Sequence, residues 1–117
     1  HAQPEALEIH LMNVQPALPV DHSRFDIPGD QLAAYQAHEC EREMAAARRQ
    51  LDEAGIPHVT HCAIGHAAEE ITKLAASLEC DQIVMGTHGR NALADLLVGS
   101  TTRKVVHYAT VPVLLVK

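Results

Sequence analysis

Asp81-Gln82-Ile83-Val84-Met85-Gly86-Thr87-His88-Gly89-Arg90 decides how this sequence is read. Gln82 to Met85 is a short, mostly apolar run closed by Gly86. Such a run predicts a strand buried on both faces, as strands of a parallel sheet are. Residues 91–108 follow with helical spacing, divided into two pieces at Gly99, and Val111 to Val116 is a β-branched run that predicts a closing strand. Strand, helix and strand in that order make a crossover unit, which joins parallel strands.

The pattern extends upstream. Ala6 to Val14 alternates apolar and polar, then turns mostly apolar, and predicts a strand over about residues 7–14. Residues 15–29 carry Pro16, Pro19, Pro28 and Gly29 and read as a loop, long enough to be a candidate lid. From Asp30, read as an N-cap, a helix is predicted to Ala54, stopped by Gly55 with Pro57 just beyond. Its inward face reads Ala33, Ala37, Cys40, Met44, Ala47, Leu51 and Ala54, with Glu41, Arg48, Arg49, Asp52 and Glu53 solvated. The run is too short and too rich in alanine to favour a coiled coil. His58 to Ile64 alternates as a second strand ended by Gly65. A helix over about residues 67–79 then turns Ala67, Ile71, Leu74 and Leu78 inward. The order β-α-β-α-β-α-β predicts an α/β fold: one domain with an open, mostly parallel sheet and helices on both faces.

Length and composition bound the function. A chain of 117 residues fits one domain with one core, and 47% apolar with 21% charged residues is ordinary for a globular protein. No apolar run approaches a membrane span, and the start shows no signal-peptide pattern. The net charge of -6 argues against binding nucleic acid or an acidic membrane. The charge is unevenly placed: residues 90–117 carry Arg90, Arg103, Lys104 and Lys117 against Asp95 alone. A locally basic end on an acidic chain suits a small anion better than a polymer. Cys40, Cys62 and Cys80 are odd in number and widely spaced, and read as reduced cytosolic thiols.

In an open α/β sheet, ligands meet the carboxyl ends of strands, and Gly86 to Gly89 lies at such an end. Glycines there permit positive φ and close approach of a ligand to the backbone. Gly99-Ser100-Thr101-Thr102 opens a helix, whose free N–H groups and positive dipole end suit phosphate oxygens, with three hydroxyls as further donors. Arg90, and Arg103 if turned inward, would add charge-assisted contacts. The spacing is neither GxxxxGK[ST] nor GxGxxG. On local physics alone the segment reads equally well as a phosphate loop or as a turn followed by an ordinary helix break.

Asp81 to Arg90, continued through Leu97-Val98-Gly99-Ser100 to Ala109-Thr110-Val111-Pro112-Val113-Leu114-Leu115-Val116, closely resembles the universal stress protein family. ATP-binding members of that family carry Gly-x2-Gly-x9-Gly-[Ser/Thr], and Gly86, Gly89, Gly99 and Ser100 match it at every spacing. The resemblance covers nearly the whole chain. It implies a cytoplasmic, usually homodimeric, Rossmann-like domain that binds ATP, with or without Mg2+. It places Val14 near the adenine, and Met85, Gly86, His88, Gly89, Gly99, Ser100, Thr101 and Thr102 around ribose and phosphates, with Arg90 kept as a site candidate for its charge. It makes residues 111–117 an edge strand that pairs with its twin across the dimer, which would also cover an apolar edge. It further implies an opening strand ending in an acidic residue, followed by a helix. Nothing before Leu7 supplies that strand, so the expectation is that the 117 residues belong to a longer protein.

Nine histidines raise the question of a metal, with His58, His61, Cys62 and His66 the densest group. On a strand, His58 and His61 point to opposite faces, so no metal site is expected. His88, inside the glycine turn, is a candidate phosphate neighbour and the one candidate base for hydrolysis, so turnover is expected to be slow or absent. The functional expectation is an ATP-binding regulatory stress-response protein. The alternatives are a dimeric interaction protein of the same fold with an empty site, and an ATPase.

Overall fold

The computed structural model describes residues 7–17, 29–86 and 99–116. The chain divides into two compact units, residues 1–64 and 65–117, considered in turn.

In the first unit, β1 (Ile9–Gln15) and β2 (His58–Ile64) form a two-stranded parallel sheet, joined by the crossover helix α1 (Gly29–Glu53). The register sets Ile9 beside His58, Asn13 beside Cys62 and Gln15 beside Ile64. Helix α1 begins at Gly29, so Asp30 lies in its first turn instead of capping it, where its carboxylate faces the positive end of the helix dipole. The helix stops as expected at Gly55. That residue adopts φ +70, and Gly55 N–H and Ile56 N–H donate to the carbonyls of Asp52 and Leu51, at 3.0 and 2.9 Å. This is a Schellman termination.

The buried face of α1 differs from the expected one in its first half. Cys40 and Met44 are buried and Ala47 and Leu51 half-buried as foreseen, but Ala33, Ala37 and Ala54 are exposed. The inward row runs Leu32, Gln36, Cys40, Met44. Gln36 occupies the place because its side-chain Nε2 donates to the Pro16 carbonyl at 2.9 Å, just past the end of β1. Alanine loses little by facing water, so Ala33 and Ala37 do not resist that rotation.

In the second unit, β3 (Ile83–Gly86) and β4 (Val113–Val116) pair in parallel, preceded by α2 (Ala67–Ser77) and linked through α3 (Ser100–Tyr108). The Ile83 N–H also donates to the Pro112 carbonyl, 3.0 Å away. The core is Ala68, Ile83 and Val105, with Ile71, Ala75, Met85, Ala109, Val111 and Val113 packed around it. Of the face expected for α2, Ile71 packs on the core and Ala67 and Leu74 are half-buried, but Ala68 is the buried residue and Leu78 is exposed at the C-cap. Glu79 follows in the left-handed region with φ 54, and the N–H groups of Glu79 and Cys80 donate to Ala76 and Ala75. The helix ends as α1 does, with a glutamate where α1 has glycine.

Parallel pairing in βαβ order bears out the α/β fold. Among the described residues the strands pair as two parallel ladders, β1 with β2 and β3 with β4, each joined by a crossover. One expectation is corrected. β3 is buried on one face only: Ile83 is buried, while Val84 is 61% exposed on the opposite face, beside Leu114.

Candidate functional site

Of the residues expected at the site, Met85 and Gly86 close β3. Met85 packs on the Ala68–Ile83–Val105 core, and Gly86 is exposed and paired with Val116. Gly99 caps α3, followed by exposed Ser100, half-buried Thr101 and buried Thr102. Because Val105 and Met85 share one core cluster, α3 and β3 pack together within this unit. Val14 lies in the first unit as the penultimate residue of β1, beside Ala63. His88, Gly89 and Arg90 lie outside the described residues, as does the helical piece expected over residues 91–98.

The first intrahelical bond of α3 runs from Arg103 N–H to the Gly99 carbonyl at 3.1 Å, and among the described residues no side chain caps the helix. The N–H groups of Ser100, Thr101 and Thr102 precede that bond and have no carbonyl within the helix to meet. Thr102, three positions before Val105, turns inward with it, so Ser100 and Thr101 carry the more accessible hydroxyls. Arg103 is exposed and does not turn inward.

Gly86 does not use the positive φ open to it, and Gly99, with φ -64, enters its helix from extended backbone; Gly89 lies outside the described residues. Among the described residues a Cβ on Gly99 would meet nothing within 4 Å, and one on Gly86 would make ordinary contact with the Val116 carbonyl oxygen at 3.9 Å.

A groove of about 570 Å³ lies elsewhere in this unit, lined by Thr72, Lys73, Ala76, Glu79, Tyr108 and Thr110 among others. It sits against the C-terminal ends of α2 and α3 and does not include the residues of the expected site.

Two side-chain constellations in the first unit were not foreseen. His10 Nδ1 and His61 Nε2 are 2.9 Å apart, so one ring donates through its N–H and the other accepts, and Glu8 Oε1 holds His10 Nε2 at 2.8 Å. The two histidines lie on neighbouring strands on the same side of the sheet. His58 faces the other way, its Nδ1 meeting the Ile56 carbonyl at 3.0 Å, which is the opposition expected of the pair. Among the described residues no group of three metal-binding side chains converges.

The second constellation corrects the reading of three reduced thiols. Cys40 and Cys62 form a disulfide, bringing α1 onto β2 with their Cα atoms 6.2 Å apart. They are 22 residues apart in sequence, and only the return of α1 across the sheet brings them within bonding range. Cys80 takes no part in it.

Parallel crossover units with a glycine at a strand's carboxyl end define an α/β protein of Rossmann-like class. Within that class the chain belongs to the universal stress protein family, which it matches over residues 1–117. It is 34% identical over 79 residues to universal stress protein MJ0577 of Methanocaldococcus jannaschii, covering 68% of this chain and 49% of that protein. It is 30% identical over 115 residues to universal stress protein MJ0531 of the same organism, covering 97% and 65%. The chain thus spans about half to two thirds of these relatives' lengths. A solved structure of MJ0577, described as a structure-based assignment of biochemical function, superposes with a TM-score of 0.76 at 27% identity, over 99% of this chain and 79% of that one. Universal stress protein UspA from Lactobacillus plantarum shares the fold, with a TM-score of 0.67 at 24% identity over 94% of this chain and 77% of that one.

Proposed function

We propose that this chain is an ATP-binding regulatory protein of the stress response, with slow or no hydrolysis. One observation carries the reading: Gly99 and Ser100 of the Gly86-x2-Gly89-x9-Gly99-Ser100 series open a helix whose first N–H groups have no side-chain cap among the described residues. On this reading the N–H groups of residues 100–102 and the Ser100 hydroxyl hold phosphate oxygens. Met85, Gly86, His88, Gly89 and Arg90 complete the phosphate and ribose side, with or without Mg2+, and Val14 adjoins the adenine. Membership of the family supports it, because the matching motif is the one its ATP-binding members carry.

The test is Gly99→Asp. Aspartate is a good N-cap and its charge suits the helix dipole, so the variant melts no lower than the parent. The same carboxylate occupies and repels the phosphate position, so ATP affinity in calorimetry falls at least ~10-fold, or about 1.4 kcal/mol. Undiminished ATP binding by the variant overturns the reading. Phosphate release no faster than that of the variant is the expected result for hydrolysis.

The same proposal includes a homodimer formed through residues 111–117 and a cytoplasmic location. Exposed Leu114 and Leu115 on β4 support the first, since an apolar edge strand gains by pairing. Family membership supports the second, and no helix among the described residues is long and apolar enough to cross a membrane.

A further inference from the structure

We infer that Cys40 and Cys62 are a reversible dithiol–disulfide couple in which Cys62 is the sulfur that exchanges with external thiols and Cys40 is the one that resolves. The two cysteines are unequal in access. Cys40 is 1% exposed on the inner face of α1, whereas Cys62, on β2, is exposed. An attacking thiolate approaches the sulfur it can reach, and exchange proceeds through a mixed disulfide on that sulfur. The leaving sulfur also has a place to go. Cys40 Sγ lies 3.6 Å from the carbonyl oxygen of Asn13, the residue paired with Cys62 in the β1–β2 register. In the disulfide that contact has no hydrogen. Once Cys40 is a thiol, its S–H has the Asn13 carbonyl within reach as an acceptor, so reduction does not leave it a buried donor without a partner.

The chemistry balances with a small-molecule thiol as reductant. Its thiolate attacks Cys62 Sγ; the Cys40–Cys62 bond breaks, a mixed disulfide forms on Cys62, and Cys40 leaves as thiolate and takes a proton from water. A second external thiolate attacks the mixed disulfide at the external sulfur, releasing Cys62 as thiolate and a small-molecule disulfide. Two electrons pass to the protein. Oxidation is the same sequence reversed, with a small-molecule disulfide as oxidant. The inference stands apart from the nucleotide reading and does not depend on it.

The experiment equilibrates the full protein with glutathione buffers from fully reduced to fully oxidised, quenches with acid, alkylates, and reads each cysteine by peptide mass spectrometry. The expected result is a reversible interconversion of the Cys40–Cys62 disulfide and the dithiol, with Cys80 outside it. Any mixed disulfide trapped on the way carries glutathione on Cys62. Cys40→Ser accumulates that adduct on Cys62, whereas Cys62→Ser leaves Cys40 unmodified. If a variant fails to fold, the adduct trapped partway through reduction of the unaltered protein answers the same question. A pair that stays bonded, or stays reduced, throughout the series overturns the inference, as does glutathione found preferentially on Cys40.

Discussion

Two helices end in the same way on different residues, and the difference is measurable. After α1 the left-handed position is Gly55; after α2 it is Glu79, with φ 54. A side chain in that region costs roughly 1 kcal/mol relative to glycine. Glu79→Gly is therefore expected to raise the unfolding free energy by about 1 kcal/mol, and Gly55→Ala to lower it by about the same amount. A Cβ on Gly55 would meet nothing within 4 Å, so the second effect is conformational and not steric. Urea denaturation of the two variants checks both signs; equal signs would show that the terminations are not equivalent. At this scale the sequence announces Gly55 and conceals Glu79, because a glutamate carries no signal for a left-handed turn. The His10–His61 contact was hidden for another reason: it is made between strands, and nothing local to either histidine names its partner.

Among the elements, the strands were the more legible. The alternation of His58 to Ile64 gives β2 its observed bounds, and the Gly86 stop gives β3 its end. The helices were found with their lengths nearly right but their faces partly misjudged, since rows of alanine do not say which side must be dry. Gln36 is the clearest case: a polar residue, 5% exposed, whose side-chain amide donates to the Pro16 carbonyl. Gln36→Ala removes the donor and leaves that carbonyl without it, and is expected to cost about 1–3 kcal/mol in thermal or chemical unfolding. A loss below a few tenths would show that water replaces the bond freely. The Cys40–Cys62 bond escaped for the same geometric reason, because helix rotation and crossover direction together decide which cysteines meet. The candidate site was legible as spacing. Which of its hydroxyls face out was not, since the burial of Thr102 beside Val105 belongs to the folded chain.

For the molecule as a whole, β4 is where assembly is expected. Leu114→Glu places a charge on an apolar strand where Leu114 is 50% exposed, and is expected to shift the protein from dimer to monomer in light scattering behind gel filtration. A variant that remains fully dimeric would move the interface elsewhere. The α/β class follows from the βαβ order, and the crossovers account for the parallel pairing in each unit. One consequence concerns errors. A strand that slips by one residue turns every side chain to the opposite face. A slip of β4 against β3 would turn Val113 out of its core and bring Leu114 in. A slip of β2 against β1 would turn Cys62 to the face away from Cys40, so the sulfur pairing exists only in the native register.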